Sequence, residues 1–153
     1  MIIISIGRDE NNRIVLEDPA QTVSNYHAEL KIKDNGSMFL FDKSNNGSFV
    51  NGIRVAPKQD FPLQRGNVVS FANKVILNWS AVPEVPVSED TLRIVTVGKN
   101  SDNDIQLDTH DRTSRYHALL RVTNDYQYYL YDMSTNGIFV NNLRIPARTW
   151  YKI

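Results

Sequence analysis

The 153-residue sequence predicts an all-β protein that consists of two antiparallel β-sandwiches in tandem. Three observations support this fold class. Apolar and charged residues alternate over residues 28–33, which is the period of two expected of a half-buried strand. Turn dipeptides such as Asn46-Gly47 separate short apolar runs at intervals of roughly eight to twelve residues. Residues 26–55 align with residues 116–145 without a gap and are identical at 13 of 30 positions, which indicates an internal repeat.

The strands of the first copy follow one another from the N terminus, and each ends at residues that favour a loop or a turn. Asparagine and glycine are frequent there because both tolerate the positive φ that tight turns require. The segment 56–61 shows no regular alternation of apolar and polar residues and is interpreted as irregular. The predicted strands are 2–6, 14–16, 28–33, 38–42, 49–50, 68–71 and 75–79.

The repeat divides the chain into a first domain at residues 1–79, a linker at 80–91 and a second domain at 92–153. The linker is predicted to be extended, since it contains two prolines and three acidic residues. Ile153 aligns with Leu63, so the second domain is expected to lack its last strands. We expect the chain to be a fragment of a longer protein. The alternative is an oligomer in which a neighbouring chain supplies the missing strands by swapping.

Composition excludes several classes of partner and chemistry. Seventeen Lys and Arg balance seventeen Asp and Glu, so the broad positive field of a nucleic-acid-binding protein is missing and we expect no nucleic-acid partner. No run approaches the roughly 18 apolar residues of a membrane span, and we expect no membrane insertion. The absence of cysteine excludes disulfides and thiolate metal sites, and it fits a reducing, cytoplasmic location. We expect no cofactor and no metal.

Three polar blocks recur in the same order in both copies, and this pattern resembles the forkhead-associated (FHA) domain, whose motif runs Gly-Arg, Ser-x-x-His, Asn-Gly and a further Asn. The resemblance implies a β-sandwich that binds phosphothreonine peptides through loops at one end. The first copy has Gly7-Arg8, then Ser24-Asn25-Tyr26-His27, and as its third block Asn46-Gly47 with Asn51-Gly52. The second copy matches at Gly98, then at Ser114-Arg115-Tyr116-His117, and in its third block at Asn136-Gly137 with Asn141.

A phosphothreonine site needs several hydrogen-bond donors and a fixed positive charge, because the phosphate carries about −1.5 to −2 charge and three acceptor oxygens. Arg8 has a planar fork that suits bidentate phosphate contact. The resemblance implies that Asn46 holds the ligand backbone and that Asn45 helps to read flanking residues. The candidate binding residues are Arg8, Ser24, Asn25, Asn45, Asn46, Lys99, Ser114, Arg115, Thr135 and Asn136. The residues expected to shape the loops are Gly7, His27, Gly47, Gly98, His117 and Gly137.

The second copy departs from the family pattern at Lys99, where the family has arginine. Lysine keeps the charge and loses the bidentate geometry, so we expect the second site to bind phosphate weakly or not at all. Arg115 is the residue that would compensate. The first domain is therefore the better candidate for an active binding site.

Two other functions compete with phosphothreonine binding as interpretations of the sequence. A phosphate-independent interaction scaffold with degenerate FHA domains is the main alternative, since a fold does not fix a function. Catalysis is not expected: Ser24 and His27 have no third group to form a triad, and the three histidines (His27, His110, His117) do not have zinc-ligand spacing. The sequence thus predicts a phosphothreonine-dependent peptide-binding module for signalling or scaffolding, which is not an enzyme and whose partner is a phosphothreonine-containing protein or peptide.

Overall fold

The computed structural model describes residues 1–108 and 112–153, and His110 lies outside the described residues. The chain divides into two compact units, one at Ile3–Pro86 and the other at Val87–Ile153 together with Met1–Ile2. In the described part, the secondary structure is sixteen strands and one three-residue 3₁₀ helix. The predicted all-β class is confirmed. No helix in this part is long and apolar enough to cross a membrane.

The first unit is a sandwich of two sheets. Its larger sheet has the order β2-β1-β3-β4-β7 and its smaller sheet the order β6-β5-β8-β9. The pair β1–β2 is parallel, and the pairs β3–β4, β4–β7, β5–β6, β5–β8 and β8–β9 are antiparallel. The strands are β1 (Ile2–Gly7), β2 (Ile14–Val15), β3 (Ala28–Ile32), β4 (Met38–Asp42), β5 (Ser48–Val50), β6 (Ile53–Arg54), β7 (Asp60–Leu63), β8 (Val69–Phe71) and β9 (Val75–Ile76).

Alternation of side chains along the strands builds the core of this unit. In β3, Ala28, Leu30 and Ile32 are buried, whereas the residues between them are half-buried on the outer face. Phe71 of β8 is fully buried in the other sheet. The inner faces of the two sheets therefore meet in one apolar layer, as in other sandwiches.

Two local predictions were wrong. The segment interpreted as irregular contains the start of β7, which pairs through Pro62 with Phe39 at the edge of the larger sheet. An edge strand tolerates proline because one side of it needs no backbone donor. The last predicted strand ends at Ile76 instead of Trp79, and the 3₁₀ helix Trp79–Ala81 follows it.

The residues after this helix remain part of the first unit. Val82 is 3% exposed. Arg65 donates from its guanidinium to the carbonyls of Trp79, Val82 and Pro83, each at 3.2 Å. The first half of the segment 80–91 is thus fastened to the unit, which extends to Pro86.

The second unit repeats the larger sheet with the order β11-β10-β12-β13-β16, and its other sheet is the two-stranded β14-β15. Among the described residues, the second unit has no strands equivalent to β8 and β9. The strands are β10 (Thr91–Gly98), β11 (Ile105–Gln106), β12 (Ala118–Thr123), β13 (Tyr128–Asp132), β14 (Phe139–Val140), β15 (Leu143–Arg144) and β16 (Trp150–Lys152).

Candidate functional site

The predicted site residues of the first unit lie on three loops that meet at one end of the sandwich. The loop after β1 contains Arg8, the loop before β3 contains Ser24 and Asn25, and the loop after β4 contains Asn45 and Asn46. The last two loops are adjacent because Ala28, the first residue of β3, pairs with Asp42, the last of β4. The first loop joins them because the backbone amide of His27 donates to the Ile6 carbonyl at 2.8 Å.

Arg8 is fixed to the second loop at two points. Its backbone amide donates to the Ser24 carbonyl at 3.1 Å, and its Nε donates to the Val23 carbonyl at 2.7 Å. The Nε bond sets the plane of the guanidinium. Within the described residues, Nη1 and Nη2 have no hydrogen bond or ion pair, so this edge of the fork is available to an anion.

Gly7 allows the first two loops to come this close. A Cβ atom at this position would lie 2.1 Å from the carbonyl oxygen of Asn25, which is a backbone atom and cannot swing away. Gly98 has the same relation to the carbonyl of Arg115, also at 2.1 Å. Both units therefore require glycine immediately before the cation of the first block.

His27 connects the second and third loops. Its Nδ1 accepts from the Ser24 amide at 3.0 Å, and its Nε2 lies 2.9 Å from the Gly47 carbonyl. Because a carbonyl can only accept, the proton resides on Nε2 and the ring is neutral. The ring is fully buried and meets Phe71 edge-on at 5.4 Å. Burial lowers the pKa of His27 below its ordinary value of 6.5, although the Gly47 hydrogen bond and Asp42 oppose the shift.

The third loop is bonded back to the second. The backbone amide of Asn45 donates to the Ser24 hydroxyl oxygen at 3.3 Å, and the Asn46 side-chain nitrogen donates to the Thr22 carbonyl at 2.7 Å. Gly47 adopts a φ of +92°, which suits glycine. Asn46 therefore uses its amino group to hold the loops together and leaves its side-chain oxygen for other contacts.

Asp18 is a supporting residue that sequence reasoning missed. Its Oδ2 accepts from the Thr22 amide, the Thr22 hydroxyl and the Val23 amide, each at 2.8 Å. The hydrogen bond from the Val23 amide is the largest of the causes that lower the pKa of Asp18 to about 2. The Val23 carbonyl also accepts the hydrogen bond from Nε of Arg8. Asp18 therefore fixes the residue that orients the site cation. An aspartate followed by a proline turn is the sequence signal that would have identified it.

Asp42 and Ser44 also were missed, although both are identical in the repeat. Asp42 is 1% exposed and its Oδ1 accepts from the Ser44 hydroxyl at 2.6 Å. The same hydroxyl oxygen accepts from the Gly47 amide at 2.8 Å. Asp132 and Ser134 form the equivalent bond at 2.6 Å in the second unit. Both units thus hold the third loop through a buried aspartate.

The second unit brings its predicted residues together with the same bonds. The Ser114 amide donates to Nδ1 of His117 at 3.0 Å, and the Thr135 amide donates to the Ser114 hydroxyl oxygen at 3.1 Å. The Asn136 side-chain nitrogen donates to the Arg112 carbonyl at 3.0 Å. The loop scaffold is therefore conserved between the two copies down to single hydrogen bonds.

The cation and the histidine differ between the units. The Lys99 amide keeps the bond to the Ser114 carbonyl at 3.0 Å, but lysine has no second nitrogen that could bond to the next carbonyl as Nε of Arg8 does. His117 is half-buried, and its Nε2 lies 3.3 Å from the Gly137 carbonyl. The first unit covers the equivalent ring with Phe71 of β8, a strand without a counterpart among the described residues of the second unit. The side chain of Arg115 is exposed.

The site contains no arrangement that resembles a catalytic centre in the part of the chain that the structure describes. Both nitrogens of His27 are engaged by backbone groups, so the ring does not activate Ser24. No group of three or more His, Asp or Glu side chains among the described residues is placed to hold a metal ion. What the three loops offer is a set of donors around one cation.

The model of the FHA domain matches residues 4–72 and 95–152. The DNA damage response protein kinase DUN1 of Saccharomyces cerevisiae is 26% identical over 111 residues, which covers 67% of this chain and 21% of that protein. The chain thus spans about a fifth of this relative.

Two solved structures are also similar. The N-terminal FHA domain of S. cerevisiae Rad53p, solved with a phosphothreonine peptide, is 24% identical with a TM-score of 0.45, covering 48% of this chain and 59% of that chain. The yeast Dun1 FHA domain, solved with a doubly phosphorylated peptide, is 27% identical with a TM-score of 0.39, covering 57% of this chain and 72% of that chain. Since the family model matches most of the sequence, in two separate regions, the chain belongs to the FHA-domain family and contains two copies of the domain.

Proposed function

We propose that this chain is a phosphothreonine-dependent peptide-binding module, that its partner is a phosphothreonine-containing protein or peptide, and that the first domain holds the more active site. The observation that carries the proposal is the 2.7 Å bond from Nε of Arg8 to the Val23 carbonyl. This bond presents the Nη1–Nη2 edge in a fixed plane, and a rigid fork loses little entropy when it grips a phosphate.

The roles of the remaining residues follow from their hydrogen bonds. The Ser24 hydroxyl oxygen accepts from Asn45, so its hydrogen can donate to the phosphate. Asn25 is exposed and supplies a neutral amide donor. Asn46 holds Thr22 with its amino group and can accept a ligand backbone N–H with its oxygen. Asn45 is exposed beside it and is placed to contact residues that flank the phosphothreonine.

In the second domain, Lys99, Ser114, Arg115, Thr135 and Asn136 form the weaker site. Its loops are braced as in the first domain, so the reduced affinity comes from the cation. The Lys99 ammonium is a flexible point charge without the anchor that orients Arg8. The exposed Arg115 adds a second positive charge next to Ser114.

We further propose that the domains are 1–79 and 92–153 with a linker at 80–91, whose residues up to Pro86 belong to the first compact unit. We also propose that the module works in the cytoplasm without catalysis, cofactor or nucleic-acid partner. Support comes from the balanced charge, the absence of cysteine and the engagement of both His27 nitrogens by the backbone. Release of free phosphate from an incubated phosphopeptide would contradict the non-catalytic function.

Calorimetry tests the binding function. We expect a phosphothreonine peptide to bind, and its unphosphorylated and phosphoserine forms to bind much less. Arg8→Ala should reduce the binding free energy by about 2–5 kcal/mol, since it removes a charged hydrogen-bonding partner. Lys33→Ala is the matched control, because it removes a half-buried cation of the same unit just beyond the opposite end of β3.

Equal affinity for the phosphorylated and plain peptides would favour the alternative, a phosphate-independent scaffold. The same experiment separates the two domains when Lys99→Ala is measured beside Arg8→Ala. A peptide library oriented on phosphothreonine then defines which flanking residues each site reads.

A further inference from the structure

A second cation, in the second domain, is buried and has no counter-ion among the described residues. Arg121 of β12 is 9% exposed, and its guanidinium carbon lies 4.5 Å from the ring centre of Tyr129 and 5.1 Å from that of Trp150. Within the described residues, the only hydrogen bond of its side chain runs from Nη1 to the Ser88 hydroxyl at 2.6 Å. Its Nε is buried without any partner. Buried charges are normally paired, so this arrangement is incomplete.

The first domain shows what is missing. Lys31 occupies the equivalent position of β3, and its ammonium lies 4.2 Å from the Phe41 ring centre and 2.9 Å from Oδ1 of Asp60. Asp60 pairs with Phe41 across the sheet, and in the second domain Trp150 pairs with Tyr131 at the same place. Trp150 therefore stands where the first domain has its carboxylate. The second domain also has a cation over aromatic rings, here Tyr129 and Trp150, but no carboxylate among the described residues pairs with it.

Ser88 is the residue through which an anion can reach Arg121. It is exposed and precedes β10, and its carbonyl accepts from the Thr91 amide at 3.1 Å. A neutral hydroxyl accepts a hydrogen bond from one of the five guanidinium donors and does not neutralise the charge. A phosphate on this oxygen brings about −1.5 to −2 charge and three acceptor oxygens to the same spot.

We propose that Ser88 is a phosphorylation site and that Arg121 is the built-in receptor for its phosphate. In the reaction, the Ser88 oxygen forms a bond to the γ-phosphorus of a nucleoside triphosphate held by a protein kinase. The bond from that phosphorus to the bridging oxygen breaks, the nucleoside diphosphate leaves, and the hydroxyl proton passes to the kinase or to water. No electrons are transferred.

The phosphate would complete the site in two ways. It neutralises the Arg121 charge, and it replaces one hydrogen bond with charge-assisted bonds that Nη1 and other guanidinium donors share. The neighbouring acids Glu89 and Asp90 are exposed, so water and salt screen their repulsion. Phosphorylation should thus fasten the segment that enters β10 to the sheet of the second domain.

The test compares the full chain with and without phosphoserine placed at position 88 by genetic encoding. We expect the phosphorylated chain to melt at a temperature higher by about 4 °C or more. We also expect phosphorus NMR to show that the second pKa of the phosphate falls below about 6, its value in flexible peptides. Both effects should disappear in R121M and shrink in R121K, which keeps the charge without the fork.

K31M is the matched control, because it removes the already paired cation of the first domain and should leave both effects unchanged. A phosphoserine that titrates as in a short peptide of residues 84–94, with no change in melting temperature, would overturn the proposal. A second result would also overturn it. Millimolar inorganic phosphate would stabilise the unmodified chain, this effect would disappear in R121M, and phosphoserine 88 would not change it. Arg121 would then bind a free anion. If R121M does not fold, R121K and the titration decide the outcome.

Discussion

Residues 8 and 99 place different cations on nearly the same backbone. Both amides donate to the carbonyl of the motif serine, at 3.1 Å for Arg8 and 3.0 Å for Lys99. Among the described residues, only the side chain of Arg8 makes a further bond, from Nε to the Val23 carbonyl. The two sites therefore differ in how firmly the charge is oriented, and the loops around it are the same.

Restoring arginine should restore the second site. In an Arg8→Ala background, Lys99→Arg is expected to strengthen phosphothreonine-peptide binding by about 1.5–3 kcal/mol, the range for hydrogen bonds to charged groups. The new Nε would donate to the Thr113 carbonyl, which corresponds to Val23. Calorimetry with the same peptide measures the gain, and Arg93→Lys, at an exposed position of β10, serves as the control. An unchanged affinity would show that the cation is not what weakens this site.

His27 makes the first unit sensitive to mild acid. Burial lowers its pKa, so the unfolded chain takes up a proton at a higher pH than the folded chain does. The contribution of the neutral ring is complete above 6.5 and is lost as the pH falls below that value. The slope approaches about 1.4 kcal/mol per pH unit, which corresponds to one proton.

Urea unfolding checks this pH dependence. Trp150→Phe leaves Trp79, in the first unit, as the single tryptophan of the chain, and its fluorescence reports on that unit. We expect His27→Gln to flatten the fall in stability between about pH 7 and pH 5. His117→Gln should retain it. If His27→Gln showed the same slope as the parent, titration of the buried ring would not be the cause.

The site loops are held mainly by hydrogen bonds in which one partner is a backbone group. Asp18 binds the amides of Thr22 and Val23, and the Val23 carbonyl binds Arg8. A chain of contacts thus runs from a residue that touches no ligand to the cation of the site. These bonds hold the second loop and the site cation in one geometry.

Glycine at position 7 is expected to be indispensable to that geometry. Gly7→Ala places a Cβ atom 2.1 Å from the Asn25 carbonyl oxygen, so the loops must separate. We expect a stability loss of about 1–3 kcal/mol, as for other overpacked positions, together with loss of peptide binding. Thermal melting and calorimetry measure the two effects.

Gly52→Asn is the control for this prediction. Gly52 has a φ of +81° with open space where a Cβ would point, and Asn142 adopts +65° at the equivalent position of the second domain. This substitution should cost less than about 1 kcal/mol and leave binding intact. Wild-type affinity in Gly7→Ala would show that the close approach of the loops is dispensable.

At the scale of the whole molecule, the two domains differ in how completely their cores are covered. Val50 is 4% exposed and His27 is fully buried in the first domain, whereas Val140 and His117 are half-buried in the second. The difference follows from β8 and β9, which have no counterparts among the described residues of the second domain. A swapped oligomer would cover this surface, so the solution mass is informative.

We expect the chain to be a monomer in solution. Light scattering coupled to size exclusion measures the mass across a range of concentrations. A stable dimer that persists on dilution would support strand swapping at the second domain. A Gly137→Ala variant, which disturbs the third loop without altering the sheet edge, should have the same mass as the parent.

Much of the fold was predictable because the signals are local. Alternation along β3 and the turns at Asn-Gly pairs follow from period and φ preference alone, and the repeat itself defined two domains. The strand β7 was not predictable, since Pro62 argues against a strand unless the segment lies at an edge. Whether a strand is at an edge depends on pairing between distant residues.

The sequence by itself determined the candidate binding residues, because the motif blocks fix their identity and order. Only the tertiary structure decided how they are held. The neutral tautomer of His27 and the bond from Arg8 to Val23 depend on contacts between separate loops. The lack of a carboxylate beside Arg121 likewise follows from the pairing of the sheet, which places Trp150 where the first domain has Asp60. Composition records charge balance over the whole chain, whereas burial and pairing are properties of position.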